Sequence, residues 1–226
     1  MNKAAPHKLS IPHIGEPLLS DYQDIVSKIV LNGVSARIDQ TNWAEYPYQP
    51  MVRMYAGYSE TYLWIHYEVE KDFFRGQVRS DQGAVWEDSC VEFFIANADG
   101  SEWEGLSNEK IVYRNFEFNA LGICLSAVGN VGKREFLEDG EMKQILRYPG
   151  LSRENLPAEG DLFNWKLTVA IPLRLLNLRP GSIRKANFYK CGDLTQQPHF
   201  LSLFCITSES PDFHLPQFFG EVELVK

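Results

Sequence analysis

The chain of 226 residues reads as a single all-β sandwich with one or two short helices. Three observations predict this. Apolar and polar residues alternate over short runs, the period of a strand with one buried face. About ten such runs are separated by turns containing Gly, Pro, Asn or Ser. Helical periodicity is brief, and there are no internal repeats and no low-complexity segment.

The length suits one β-rich domain over residues 1–226 and allows a substantial core. A net charge of -8 argues against nucleic acid as the main partner, because phosphate binding needs clustered Lys and Arg. Neutral ligands and cations such as calcium remain compatible with it. Aromatic residues make up 13%, which suits a sandwich core, a ligand surface, or both. Cys90, Cys124, Cys191 and Cys205 sit in apolar or strand-like runs without a CxxC pair, and read as buried thiols in a reducing compartment, with a disulfide network or a zinc site as the alternative. No apolar h-region follows Met1–Lys8, and no run approaches the roughly 18 apolar residues of a membrane span. The expectation is a cytoplasmic protein without a membrane partner; an export signal trimmed from the sequence would move it to the periplasm or outside the cell.

Residues 1–20, with three prolines by Pro17, are expected to run as an extended arm. Ser20 and Asp21 are candidate caps for a short helix over Tyr22–Lys28. Val34–Ile38 alternates as a first strand, and the proline-bounded segment after it carries Trp43 as a plug on the core edge. Met51–Tyr58 and Thr61–Glu70 form the clearest hairpin, turning at Ser59-Glu60. After Asn97 comes a polar loop carrying Trp103, expected to fold back on the domain. Ile111–Ala120 puts Phe116 and Phe118 on one face and Asn115, Glu117 and Asn119 on the other. Leu121-Gly122 turns the chain into a return strand over Ile123–Val128. Gly129–Met142 reads as a loop, Lys143–Tyr148 as a strand whose Arg147 seeks an acid. Phe163–Ile171 buries five alternating apolar residues, Trp165 among them, and Pro172 with Leu173, Leu175 and Leu176 predicts a turn or two of helix. Lys185–Lys190, Phe200–Ile206 and the tail from Gly220 complete the strands.

The most informative stretch is Trp86-Glu87-Asp88-Ser89-Cys90-Val91-Glu92-Phe93-Phe94-Ile95. Val91, Phe93 and Ile95 share one face of a strand; Cys90, Glu92 and Phe94 share the other. A carboxylate amid so many apolar neighbours is costly unless it is paired or lines a wet groove. A large ring at the strand entrance followed by such a carboxylate suits a sugar, whose apolar faces stack on rings and whose hydroxyls need polar partners.

Three blocks carry a family resemblance: Trp86 to Ile95; Phe163-Asn164-Trp165-Lys166-Leu167-Thr168-Val169-Ala170-Ile171-Pro172 with Asn187-Phe188-Tyr189-Lys190; and Asp212-Phe213-His214-Leu215-Pro216-Gln217-Phe218-Phe219-Gly220-Glu221-Val222. In this order, with Asn115–Asn119, they resemble family 9 carbohydrate-binding modules and, more closely, their stand-alone bacterial relatives. The resemblance runs from about Trp43 onward. It implies a jelly-roll-like sandwich, a part in polysaccharide metabolism, a mono- or oligosaccharide partner, and structural calcium in some members. Calcium could be held through Asp88 or loop acids such as Asp81 and Asp99, but no EF-hand-like loop is present and no ligands are assigned. By position it makes Trp86 and Phe213 the rings that sandwich a sugar, with Glu92, Glu117, Asn119 and Tyr189 as hydrogen-bond partners. Phe213 stands where those modules carry Trp, and Glu117 where they carry Arg, so a fork of donors gives way to an acceptor.

The leading reading is therefore a non-catalytic sugar-binding domain. A glycoside hydrolase using Glu92 and Glu117 as acid and base is the alternative, since that chemistry requires paired carboxyl groups. A third is a haem-binding β-sandwich of the broader superfamily, for which Met51, Met54 and His66 supply the ligand types. In the bland reading, Glu92 pairs with Arg114 and Phe213 and His214 brace a packed corner.

Overall fold

The computed structural model describes residues 8–99, 107–152 and 154–225. In chain order these form β1 (Lys8–Pro12), α1 (Tyr22–Asn32), β2 (Val34–Arg37), β3 (Gln40–Thr41), β4 (Met51–Tyr58), β5 (Tyr62–Phe73), β6 (Cys90–Asp99), β7 (Tyr113–Asn119), β8 (Cys124–Gly129), β9 (Arg134–Phe136), α2 (Asp139–Met142), β10 (Leu146–Pro149), β11 (Leu162–Pro172), β12 (Ile183–Cys191), β13 (Phe200–Ser202) and β14 (Gly220–Val225). They make two sheets. The larger runs β1-β14-β12-β6-β7-β8-β9, with β13 and β3 attached beside β12; the smaller runs β10-β11-β5-β4-β2.

The alternation read from the sequence decides how the sheets pack. Val91, Phe93, Ile95, Phe116, Phe118 and Phe188 of the larger sheet share one core with Val52, Met54, Ile65, Tyr67, Leu167 and Val169 of the smaller. The outer face of the smaller sheet is closed by α1. Its Ile25 and Ile29, four apart on one helix face, pack with Trp64, Ala170 and Ile14. Asp21 caps this helix by accepting from the Gln23 and Asp24 amides. The helix passes the expected Lys28 because Ile29 completes its apolar stripe. Gly33 then allows a close approach, since a Cβ there would lie 2.3 Å from the Ile29 carbonyl oxygen and 2.7 Å from that of Ala56.

Several expectations need correction. The N-terminal arm is not merely extended: Lys8–Pro12 is a strand, parallel to β14, with Leu9 and Ile11 buried and Lys8 paired to Glu221 and Glu223. Parallel pairing across the whole chain length leaves no local signal. The leucines after Pro172 form turns rather than a helix: the Leu175 and Leu176 amides bond the Pro172 and Leu173 carbonyls three residues back, and the Leu178 amide closes on the Leu173 carbonyl. The short helix is α2, inside what reads as a loop, and that segment also holds β9. Strand β13 stops at Ser202, and Cys205 is exposed rather than buried. Trp103 lies outside the described residues.

The haem reading does not survive. Met54 is in the inter-sheet core, whereas His66 points to the opposite face of the smaller sheet and bonds Thr168 Oγ1 at 2.7 Å. Met51 pairs with Glu70, four residues along β5 from His66, or roughly 13 Å away.

One ion pair crosses the core. Lys190 of β12 reaches Asp72 of β5 at 3.0 Å, and neither side chain is exposed. Asp72 also accepts from Trp165 Nε1 at 2.8 Å, while Lys190 donates to the Cys191 carbonyl at 2.7 Å and meets His199 Nε2 at 2.8 Å. Removing one partner strands the other charge, a cost of about 3–5 kcal/mol. Lys190→Met is accordingly expected to lose about that much unfolding free energy in urea titration, while a loss of less than about 1 kcal/mol would mean the pair does not tie the sheets.

Candidate functional site

The face of the larger sheet turned away from the core carries the polar half of each alternating strand. Glu92 of β6 lies directly opposite Glu117 of β7 on one side and Tyr189 of β12 on the other. Asn115 follows on β7 beside Ala127 of β8, and Cys191 on β12 faces Cys90. Glu92, Glu117, Asn115 and Cys191 thereby line a cavity of about 500 Å³, with Trp86, Phe136, Phe200 and Phe213 as aromatic lining and Arg134, Asp193 and His214 among its polar groups. The volume is in the about 300–1,000 Å³ range of small-molecule sites.

Trp86 sits in a one-turn 3-10 helix, Val85–Glu87, that buries Val85 and leaves the indole 38% exposed. The turn is anchored: the Trp86 and Glu87 carbonyls accept from the Asp193 and Leu194 amides, both at 3.1 Å. An exposed indole on a braced backbone is a stacking surface with little ordering cost. Phe213 is held differently. It stacks on Tyr189 with centroids 4.2 Å apart and planes at 10°, and it also borders Trp43 and Phe200. It is both core and cavity wall.

The floor is short of donors. Glu117 Oε1 accepts from the Asn115 amide at 3.0 Å, and Glu92 Oε1 takes the Cys191 thiol at 3.1 Å. Glu92 Oε2, Glu117 Oε2 and Asn115 Oδ1 are buried without a hydrogen-bond partner among the described residues. Burial, and then Glu117 beside it, raises the Glu92 carboxyl well above the usual range. Burial pushes Glu117 to about 7, with Arg134 and Asn115 pulling the other way. Arg134 Nη1 lies 2.5 Å from His214 Nδ1, and the Tyr113 hydroxyl lies 2.9 Å from the same nitrogen. Burial and the guanidinium keep this imidazole neutral, its pKa driven down to about 3. The ring stacks on Phe94 at 4.8 Å, and the His214 amide donates to Asp212. His214 thus braces its corner.

Of the expected residues, Trp86, Glu92, Glu117 and Phe213 come together at one cavity. Asn119 does not join them. Its Oδ1 caps the Leu121 and Ile123 amides around Gly122, and its Nδ2 donates to Val78 and Asp88. Tyr189 is fully buried with its hydroxyl on the Phe213 carbonyl; it supports the site from behind. Arg114 lies on the opposite face of β7 from Glu117 and is no partner for Glu92.

The candidate calcium ligands are otherwise engaged. Asp88 takes the Arg75 guanidinium at 2.5 Å, the Gln77 and Val78 amides, and Asn119. Asp81 takes Arg147 at 2.6 Å and the Cys124 amide. A guanidinium stands in each case where a cation would, so neither carboxylate fits calcium. The side chain of Asp99 lies outside the described residues.

Arg134 and Asp193 are the functional candidates that sequence reasoning misses. Arg134 is in a three-residue strand too short to show a period, and Asp193 follows β12 in a turn. The available signal was their closeness in sequence to charged and strand-ending positions, which many surface residues share.

The structure is thus a two-sheet sandwich with an aromatic and acidic cavity on one outer face. The sequence match agrees: the family model described as Carbohydrate-binding family 9 covers residues 28–224, and the chain belongs to that family. Its structure is similar to that of a proposed carbohydrate-binding protein from Bacteroides uniformis, at 32% identity and TM-score 0.82, over 97% of this chain and 99% of the other. Family 9 modules from Caldicellulosiruptor kristjanssonii, one in complex with glucose and one with cellotriose, share the fold at 13% identity and TM-score 0.58. The glucose complex aligns over 97% of this chain and 95% of that one, the cellotriose complex over 96% and 93%. No curated protein matches the chain.

The acid pair has a pH signature. Glu117 has an ordinary value of 4.5 and about 7 in the fold, so the folded state binds the proton more tightly. Its stabilising effect is complete below about pH 4.5 and is lost as the pH rises toward about 7. Glu117→Gln removes this loss. The variant should gain on the native chain by on the order of 3 kcal/mol between those limits, read from urea unfolding across the range. A pH-independent difference would show that Glu117 does not titrate there.

Proposed function

We propose that this protein is a non-catalytic binder of mono- or oligosaccharides, which it takes into the cavity between Trp86 and the Glu92–Glu117 floor. The observation that carries the reading is the set of three buried acceptors without partners, Glu92 Oε2, Glu117 Oε2 and Asn115 Oδ1, beside an exposed, braced indole. A sugar supplies both complements. Its hydroxyls donate to the acceptors, and its apolar C–H face covers the ring. A carboxyl that keeps its proton near neutrality can also donate, so one floor can serve hydroxyls in either role. Arg134 lines the same cavity and offers the guanidinium donors missing from position 117. The family membership and the glucose and cellotriose complexes of fold relatives support this reading.

The hydrolase alternative has one favourable observation, the direct opposition of Glu92 and Glu117. Such partners have Cβ atoms about 4.5–5.5 Å apart. Both acids, however, rise from adjacent strands of one floor, whereas the two carboxyl groups of a glycosidase flank the scissile bond. Burial also favours the protonated form of both, which suits hydrogen bonding better than nucleophilic attack.

Calorimetric titration with a panel of mono- and oligosaccharides tests the proposal. The native chain should bind at least one, Trp86→Ala should weaken it about tenfold or more, and Glu92→Gln should weaken it comparably, each about 1.4 kcal/mol. Absence of heat with every sugar would sink the reading. New reducing ends appearing during incubation with the bound oligosaccharide, and vanishing in Glu117→Gln, would move the protein to the hydrolases.

A further inference from the structure

The outward face of β6 carries Cys90 two residues before Glu92, and β12 places Cys191 directly across from Cys90. Residues i and i+2 share a strand face, and cross-strand partners are neighbours on it, so the three side chains converge. Cys191 Sγ lies 3.1 Å from Glu92 Oε1, and Cys90 Sγ 3.9 Å from the same oxygen. The two sulfurs and the carboxylate oxygen all lie within 4.8 Å of one another.

Those separations are close to what a tetrahedral ion requires. Bonds of about 2.3 Å to sulfur and about 2.0–2.2 Å to oxygen place two thiolates about 3.8 Å apart and each about 3.5 Å from the carboxylate oxygen. The ligand atoms therefore need to shift by only about an ångström or less. Burial is nearly complete, at 0% exposure for Cys90, 2% for Glu92 and 1% for Cys191. The site is still reachable, since Cys191 and Glu92 line the cavity. Burial pushes the Cys90 thiol up to about 12, which the ion itself must overcome, and Lys190, one residue from Cys191, draws it partly back.

We propose that Cys90, Cys191 and Glu92 form a binding site for a thiophilic divalent cation of the zinc class, with its fourth position open to the cavity. Two thiolates select a borderline or soft ion over calcium or magnesium. Binding forms two metal–sulfur bonds and one metal–oxygen bond, and the two thiol protons and any carboxyl proton leave to solvent. The site is separate from the calcium expected by resemblance, and it does not depend on the sugar reading.

The test uses the reduced chain with Cys205→Ser, which removes the exposed thiol, titrated with cobalt(II) alone. One equivalent should produce sulfur-to-cobalt charge transfer in the near ultraviolet and the intense visible absorption of a four-coordinate ion, both abolished when zinc displaces the cobalt. In the same background Cys191→Ser should lose the charge-transfer intensity expected of two thiolates, and Glu92→Gln should keep it while weakening affinity about tenfold or more. Proton release on zinc addition to the unsubstituted reduced chain provides a readout that does not depend on a variant folding. Absence of charge transfer and of proton release in the reduced native chain overturns the proposal, as does an unchanged cobalt spectrum in folded Cys191→Ser. No sugar is present in any arm, so failure here leaves the sugar proposal standing.

Discussion

The buried Asp72–Lys190 pair is the contact on which both the fold and the site depend. Two charges with no exposure are tolerable only when they are paired and hydrogen-bonded. Here the Trp165 indole and the ammonium share Asp72 Oδ2, and Lys190 divides its donors among Asp72, the Cys191 carbonyl and His199; Asp72 Oδ1 has no hydrogen-bond partner among the described residues, with His199 Nε2 3.6 Å away. Burial, and then Lys190, keeps His199 neutral by lowering its pKa to about 4, so the ring nitrogen can accept from the ammonium. The pair joins β5 of one sheet to β12 of the other. It also holds Lys190 inward, and alternation then turns its neighbours Tyr189 and Cys191 outward, toward Glu92 and Cys90.

The outer face of the larger sheet is built at some cost to stability. An apolar face would have let another layer cover it, as α1 covers the smaller sheet through Ile25 and Ile29. Instead, adjacent acids are buried side by side, with raised pKa values and unmet acceptors. Such arrangements are unfavourable in isolation, and they concentrate where a ligand completes them. The aromatic residues around the cavity differ in kind. Trp86 is displayed by a turn tied to the chain after β12, whereas Phe213 is welded to Tyr189 and the core. The cavity thus combines one exposed surface with one rigid wall.

Much of this was legible in the sequence. The hairpin of β4 and β5, the five inward residues of β11 and the two faces of β6 follow from period-two alternation alone, because that pattern has only one way to bury its apolar half. The same rule placed Glu92 and Glu117 on the face that carries the cavity. It failed for Asn119 and Tyr189. Both are on the correct face, but Asn119 sits at a turn, where its amide is consumed by backbone groups, and Tyr189 is covered by Phe213. Alternation reports a face; it does not report what else lies over that face. Alternation is equally silent on the acids Asp81 and Asp88, which Arg147 and Arg75 reach from other segments.

The sequence by itself determined the class of fold, the apolar face of most strands, and the family whose motifs run through blocks near Trp86, Phe163 and Phe213. Those properties are local or nearly so, carried by spacing along one strand. Only the tertiary structure decided that Glu92 meets Glu117, that Arg134 shares their cavity, that Cys191 completes a cluster with Cys90 and Glu92, and that β1 pairs with β14. Each depends on how separate strands pair and pack, from the consecutive β6 and β7 to β1 and β14 at opposite ends of the described chain. A register is selected by the packing of whole sheets and by the Asp72–Lys190 tie across them, and no short stretch of sequence contains that information.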